Sequence, residues 1–103
     1  MILNDTDTIC AMATPAGGAI GVVRISGADA IEIANSIAVP HDKLLNARHN
    51  TVNYCHINDK NGEEIDEVLV SVFHAPHSYT GENAVEISCH GSRYIMTQIM
   101  QAL

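Results

Sequence analysis

Residues 64–73 read EIDEVLVSVF and residues 84–90 read AVEISCH. Both alternate with the two-residue period of a strand, and that period dictates a sheet. In the first run Val68, Val70 and Val72 fall on one side and Leu69, Ser71 and Phe73 on the other. This strand therefore reads as nearly buried on both faces and central in its sheet. In the second run Val85, Ile87 and Cys89 oppose Glu86, Ser88 and His90. One face is apolar; the other carries a carboxylate, a hydroxyl and an imidazole.

The rest of the chain supplies what such a sheet packs against. Residues 8–13 and 19–25 read as strands, separated by the turn TPAGG. SGADAIEIANSIA opens a helix, with Asp29 and Glu32 at the offset of a capping pair and Ala30, Ile33, Ala34 and Ile37 as its apolar stripe. Pro40 fits its stop. Residues 41–48 read as loop and 49–58 as a strand. DKNG then turns the chain into 64–73 as a hairpin. After Gly91, Ser92 is placed to cap a helix whose face holds Ile95, Met96, Ile99, Met100 and Leu103. That helix has no terminator before the last residue, so the chain reads as part of a longer domain. The expected fold is one α+β domain over residues 1–103, a mixed β-sheet with flanking helices.

Composition narrows the function. The chain has 103 residues, no tryptophan and one phenylalanine, so aliphatic side chains must fill the core. No apolar run approaches the ~20 residues that span a bilayer, and MILNDTDT lacks the basic and apolar regions of a secretory signal. Cys10, Cys55 and Cys89 are too scattered for a disulfide framework or a thiolate metal site. They read as small buried groups in a reducing compartment. The net charge is −7, with only Arg24, Lys43, Arg48, Lys60 and Arg93 basic. That is a poor surface for phosphates, so contact with nucleic acid would fall to another part of the protein or a partner.

The motifs that invite catalysis do not close. In TPAGGAIG the glycines precede a strand rather than open a helix, and no lysine follows as a phosphate loop requires. A tight turn is the reading that fits, with glycine taking positive φ. Among the six histidines, His74 and His77 flank Pro76, which keeps that stretch off a helix, and no metal is expected. Cys89 and His90 are strand neighbours and point to opposite faces, so they cannot form a thiolate–imidazole pair.

Two residues remain. Arg24 shares a strand face with Ile20 and Val22, and either snorkels to the edge or offers its planar fork to a carboxylate. Glu86 sits between Val85 and Ile87, and a half-buried carboxylate needs donors. One reading pairs it with Arg24. The other gives it a ligand with two adjacent N–H donors, the fork presented by pterins.

The stretches ATPAGGAIGVVRISGADAIEIA and PHSYTGENAVEISCHG closely resemble the N-terminal domain of the MnmE/TrmE family of tRNA-modification GTPases, and the similarity extends over essentially the whole chain. The resemblance implies a folate-binding and dimerisation domain, similar in fold to the folate-binding aminomethyltransferases. In the family a helical domain and an inserted GTPase domain follow. The family protein acts with a flavin-containing partner on the wobble uridine of tRNA, in the cytoplasm. The resemblance also implies 5-formyltetrahydrofolate as ligand, contacted by an arginine and a glutamate that match Arg24 and Glu86. GTP, Mg and K belong to the GTPase domain, which lies outside these residues, and no catalytic residue is implied here. Three departures stand out: the first loop, ATPAGG, is shorter than usual, Asn83 replaces an aspartate, and Ser92 replaces a glycine. Two other readings stay open. One is a stand-alone folate-dependent aminomethyltransferase-like enzyme. The other is a structural dimerisation fragment in which Arg24 and Glu86 close on each other.

Overall fold

The computed structural model describes residues 7–76 and 81–103. Six strands form one sheet: β1 (Ile9–Met12), β2 (Ile20–Ser26), β3 (Ala38–Val39), β4 (Thr51–Asn58), β5 (Glu64–Phe73) and β6 (Ala84–His90). Two helices accompany them, α1 (Ala30–Ile37) and α2 (Arg93–Ala102). The architecture is the expected α+β fold. The sheet, with order β1-β2-β6-β5-β4-β3, differs from expectation in being antiparallel at every described pairing. The reason is the path of α1. It carries the chain from β2 to the far edge, where β3 pairs only with β4, so the helical crossover joins no neighbouring strands. β6 then inserts between β2 and β5.

Both helices pack on one face. Ala30, Ala34, Met96 and Ile99 join Val23, Ile25, Val70 and Ile87 in a single aliphatic core. This fits the scarcity of aromatic side chains, since interdigitated branched aliphatics fill such a layer without voids. The opposite face is open, as is common for antiparallel sheets. β5 is interior as read, but only one side is buried: Val68, Val70 and Val72 enter the core while Leu69 is 49% exposed. Leu69 and its neighbours look apolar in sequence yet face outward, because both helices lie on the other side.

The local signals behave unevenly. Ser92 caps α2, its Oγ accepting from the Ile95 N–H at 3.3 Å. Asp29 occupies the N-cap of α1 without a side-chain cap bond. Its backbone, at φ −101° and ψ 10°, is not the extended conformation that aims a capping side chain, so the expected Asp29–Glu32 pair does not form. At the β4–β5 turn the Asp59 carboxylate accepts from the Asn61 and Glu63 N–H groups, each at 2.9 Å, and Gly62 takes φ +81°. Gly17 adopts φ +106° in the first turn, as a glycine turn requires.

Candidate functional site on the open sheet face

Strand registry sorts the open face into rows. Arg24 lies opposite Glu86, Glu86 opposite Ser71, and Ser71 opposite Val52. Two residues along, Val22, Ser88, Leu69 and Tyr54 form the next row. A third row holds Ile20 opposite His90 and, across the sheet, Glu67 opposite His56. Successive rows are spaced by two residues of strand, roughly 7 Å. The polar side of AVEISCH thus runs down the middle of the face, while Cys89 lies in the core with its thiol donating toward the Gly21 carbonyl at 3.5 Å.

Arg24 Nη1 donates to Glu86 Oε2 at 2.8 Å, with about a quarter and a third of the two side chains exposed. The two residues singled out in sequence are therefore direct cross-strand partners. An ion pair with this much solvent contact adds at most about 1 kcal/mol to stability. Its stronger effect is local: one charge-assisted bond anchors Glu86 Oε2 beside Arg24. Among the described residues one bond reaches this carboxylate, which has roughly four lone-pair positions for donors.

The surrounding loops are tied together by Asn83. Its Oδ1 accepts from the Ala75 N–H at 2.8 Å, its Nδ2 donates to the Ala28 carbonyl at 3.3 Å, and its own carbonyl accepts from the Gly27 N–H at 2.9 Å. Ser26 Oγ donates to Glu82 Oε2 at 3.3 Å beside this clamp. The expectation that the SYTGEN turn borders the pocket falls partly outside the described residues, as positions 78–80 are not among them; the same holds for His77. On the far side, the Gly17 N–H donates to the Gly91 carbonyl at 2.7 Å, which packs the glycine turn against the end of β6.

A cleft of about 360 Å³ opens over the second and third rows, lined by Ile20, Tyr54, Glu67, Leu69, Ser88 and His90 among others. Its His90 is held from below. The His90 Nδ1–H donates to both oxygens of Asp66, at 2.8 and 3.0 Å, and the His90 backbone N–H adds a third bond at 2.9 Å. Asp66 is only 8% exposed. Sequence reading missed it because it sits as one acid among several in EEIDE; the signal available was its place in phase with Val68, Val70 and Val72. On the cleft wall the Glu67 carboxylate holds the Tyr54 phenol above its usual value of 10.0. His56, Glu64 and Glu67 bring ligand atoms within 4.8 Å of one another. There His56 Nδ1 is bonded to Glu64 Oε1, an exposed surface pair.

The fold and the face together define a two-layer α+β domain whose open sheet face sets the Arg24–Glu86 pair among exposed apolar side chains. Residues 8–103 match the family model described as the GTP-binding protein TrmE N-terminus, and the chain belongs to that family. Among similar proteins is the tRNA modification GTPase MnmE of Flavobacterium johnsoniae, 54% identical over 100 residues, with 94% of this chain and 21% of the relative covered. That of Bacteroides fragilis is 56% identical over 101 residues, with the same coverage. That of Pediococcus pentosaceus is 46% identical over 104 residues, covering 99% of this chain and 22% of the relative. The chain thus spans about a fifth of the length of the curated relatives it matches.

Proposed function

We propose that this chain is the folate-binding and dimerising N-terminal module of a cytoplasmic tRNA-modification GTPase, with Arg24 and Glu86 as the residues that hold the pterin head of 5-formyltetrahydrofolate. The observation that supports this reading is that Arg24 and Glu86, the two positions the family resemblance matches to folate contacts, are neighbours across two strands on the open face. Glu86 lies on the open face with Oε2 anchored by Arg24, and a pterin's amino group and ring N–H supply two parallel donors to such an acceptor. The relatives' printed names support the wider role in tRNA modification. GTP hydrolysis, with its Mg and K, and contact with tRNA and a flavin-dependent partner belong to the remainder of the protein, in keeping with the net charge of −7 here. Dimerisation is assigned to the β1 edge, where Ile9 and Met12 are exposed and a second copy could extend or cover the sheet.

Calorimetry of the full-length protein with 5-formyltetrahydrofolate tests the ligand. Glu86→Ala strands two donors of the bound ligand, at a cost of about 2 kcal/mol or roughly thirtyfold in Kd. Equal affinity of parent and variant would remove Glu86 from the site. Absence of binding heat from the parent would remove the folate reading itself.

A further inference from the structure

We propose that His56, Glu64 and Glu67, at the turn end of the β4–β5 hairpin, form a binding site for one divalent transition ion of the zinc class. The site is independent of the folate reading, and three observations carry it.

The first is convergence. A ring nitrogen of His56 and one carboxylate oxygen each from Glu64 and Glu67 lie within 4.8 Å of one another. Ligand atoms around a single ion, at bond lengths of ~2.0–2.2 Å, sit roughly 3–4 Å apart. Small side-chain rotations close that difference, and all three side chains keep the solvent contact that permits them.

The second is the backbone that brings them together. His56 and Glu67 are cross-strand partners. Glu64 stands three residues from Glu67, and plain alternation would turn it to the opposite face, in phase with the buried Asp66. β5 carries an extra residue at this place: Ile57 opposes Asp66 but Asn58 opposes Glu64, which leaves Ile65 between the two pairs. Such a bulge re-aims a side chain. Here it returns Glu64 to the side of His56, whose Nδ1 bonds to Glu64 Oε1. The sequence conceals the group, because the Asp59–Gly62 turn divides the ligands and their odd spacing hides the shared face.

The third is charge and donor chemistry. Two carboxylates meet in a chain of net charge −7, and among the described residues no lysine or arginine forms an ion pair with either. A cation is the complement such a group lacks. Imidazole together with carboxylate suits zinc, nickel, copper or iron, whereas magnesium and calcium favour oxygen alone. On binding, the ion takes the Nδ1 lone pair that a proton holds in the His56–Glu64 bond. The neutral ring then carries its proton on Nε2, where the Tyr54 hydroxyl, 3.4 Å away, accepts it. An outer partner of this kind fixes the orientation and tautomer of a ligating ring. Water completes the coordination, as in zinc sites with three protein ligands.

The test uses the full-length protein, stripped by a chelator and free of nucleotide, titrated with Zn²⁺ against a chromophoric chelator in excess Mg²⁺. The Mg²⁺ fills oxygen-only sites elsewhere in the protein and leaves this one open. The parent is expected to hold one more tight Zn²⁺ per chain than His56→Ala, Glu64→Gln or Glu67→Gln. All three side chains reach solvent, so circular dichroism of each variant should match the parent. Lys60→Ala, in the same turn but outside the site, should keep the parent's count. An equal count in the parent and all three variants overturns the site. So does displacement of the Zn²⁺ by Mg²⁺, a loss in fewer than all three variants, or an equal loss in Lys60→Ala.

Discussion

Gly91 approaches Gly18 so closely that a Cβ on Gly91 would lie 1.9 Å from the Gly18 carbonyl oxygen. The neighbour is backbone and cannot rotate away. The Gly17 N–H to Gly91 carbonyl bond and the Gly91 N–H to Ala19 carbonyl bond hold the two segments in that contact. Gly91→Ala must therefore part the first turn from the end of β6. The expected cost is about 2–3 kcal/mol, in the range of overpacked sites, read as a lower urea midpoint. The control is Gly62→Ala. There the space is open and only the positive φ is strained, so a smaller loss is expected.

The Arg24–Glu86 pair is expected to matter for binding and little for folding. Arg24→Ala should lower the unfolding free energy by less than about 1 kcal/mol, because both side chains keep solvent contact. Its effect on 5-formyltetrahydrofolate should be several times larger in free energy, since the carboxylate loses the bond that anchors Oε2. Stability and affinity falling together by equal amounts would make the pair a structural staple.

Asn83 uses both ends of its amide. Asn83→Asp, which restores the residue usual in the resembling family, keeps an acceptor for the Ala75 N–H but loses the donor to the Ala28 carbonyl. It also places a second carboxylate beside Glu82. A loss of about 1 kcal/mol is expected, and chemical denaturation in low and high salt checks it. The repulsive part should shrink as salt screens it.

The buried thiols give a pH signature. Burial raises Cys55 and Cys89 above the usual value of 9.0, with the Asp66 carboxylate adding to the rise at Cys89. The folded protein then holds these protons more tightly than the unfolded chain. Stability from this source is complete below that ordinary value and is lost as pH climbs through it and beyond. Urea midpoints measured from pH 7.5 to 10 should fall, and a Cys55→Ala, Cys89→Ala double variant, though less stable throughout, should show a shallower decline.

What could be read from the residues follows from range. Alternation in EIDEVLVSVF and AVEISCH, the Asp59–Gly62 turn and the Ser92 cap are local, and each took its expected form. Pairing is not local. Nothing near residue 84 announces that β6 enters between β2 and β5, and so the sheet was expected to be mixed. Leu69 misled for the same reason, because a residue's face has meaning only once the helices have chosen a side. Arg24 and Glu86 were legible as two charges on apolar strands, and their partnership as one of two readings. Asp66 and His90 were not legible as a unit, being 24 positions apart and joined only by the sheet.

The late entry of β6 has a consequence for synthesis. β1 and β2 emerge first, and β4 and β5 can close as a hairpin, but the strand that joins the two groups follows the five other described strands. Until residue 90 has left the ribosome, β2 and β5 each present an unsatisfied row of backbone donors and acceptors. Until then the nascent sheet is two halves awaiting a keystone, open to chaperones or to a neighbouring chain. The strand that ends this vulnerable interval is the one that brings Glu86 to its place.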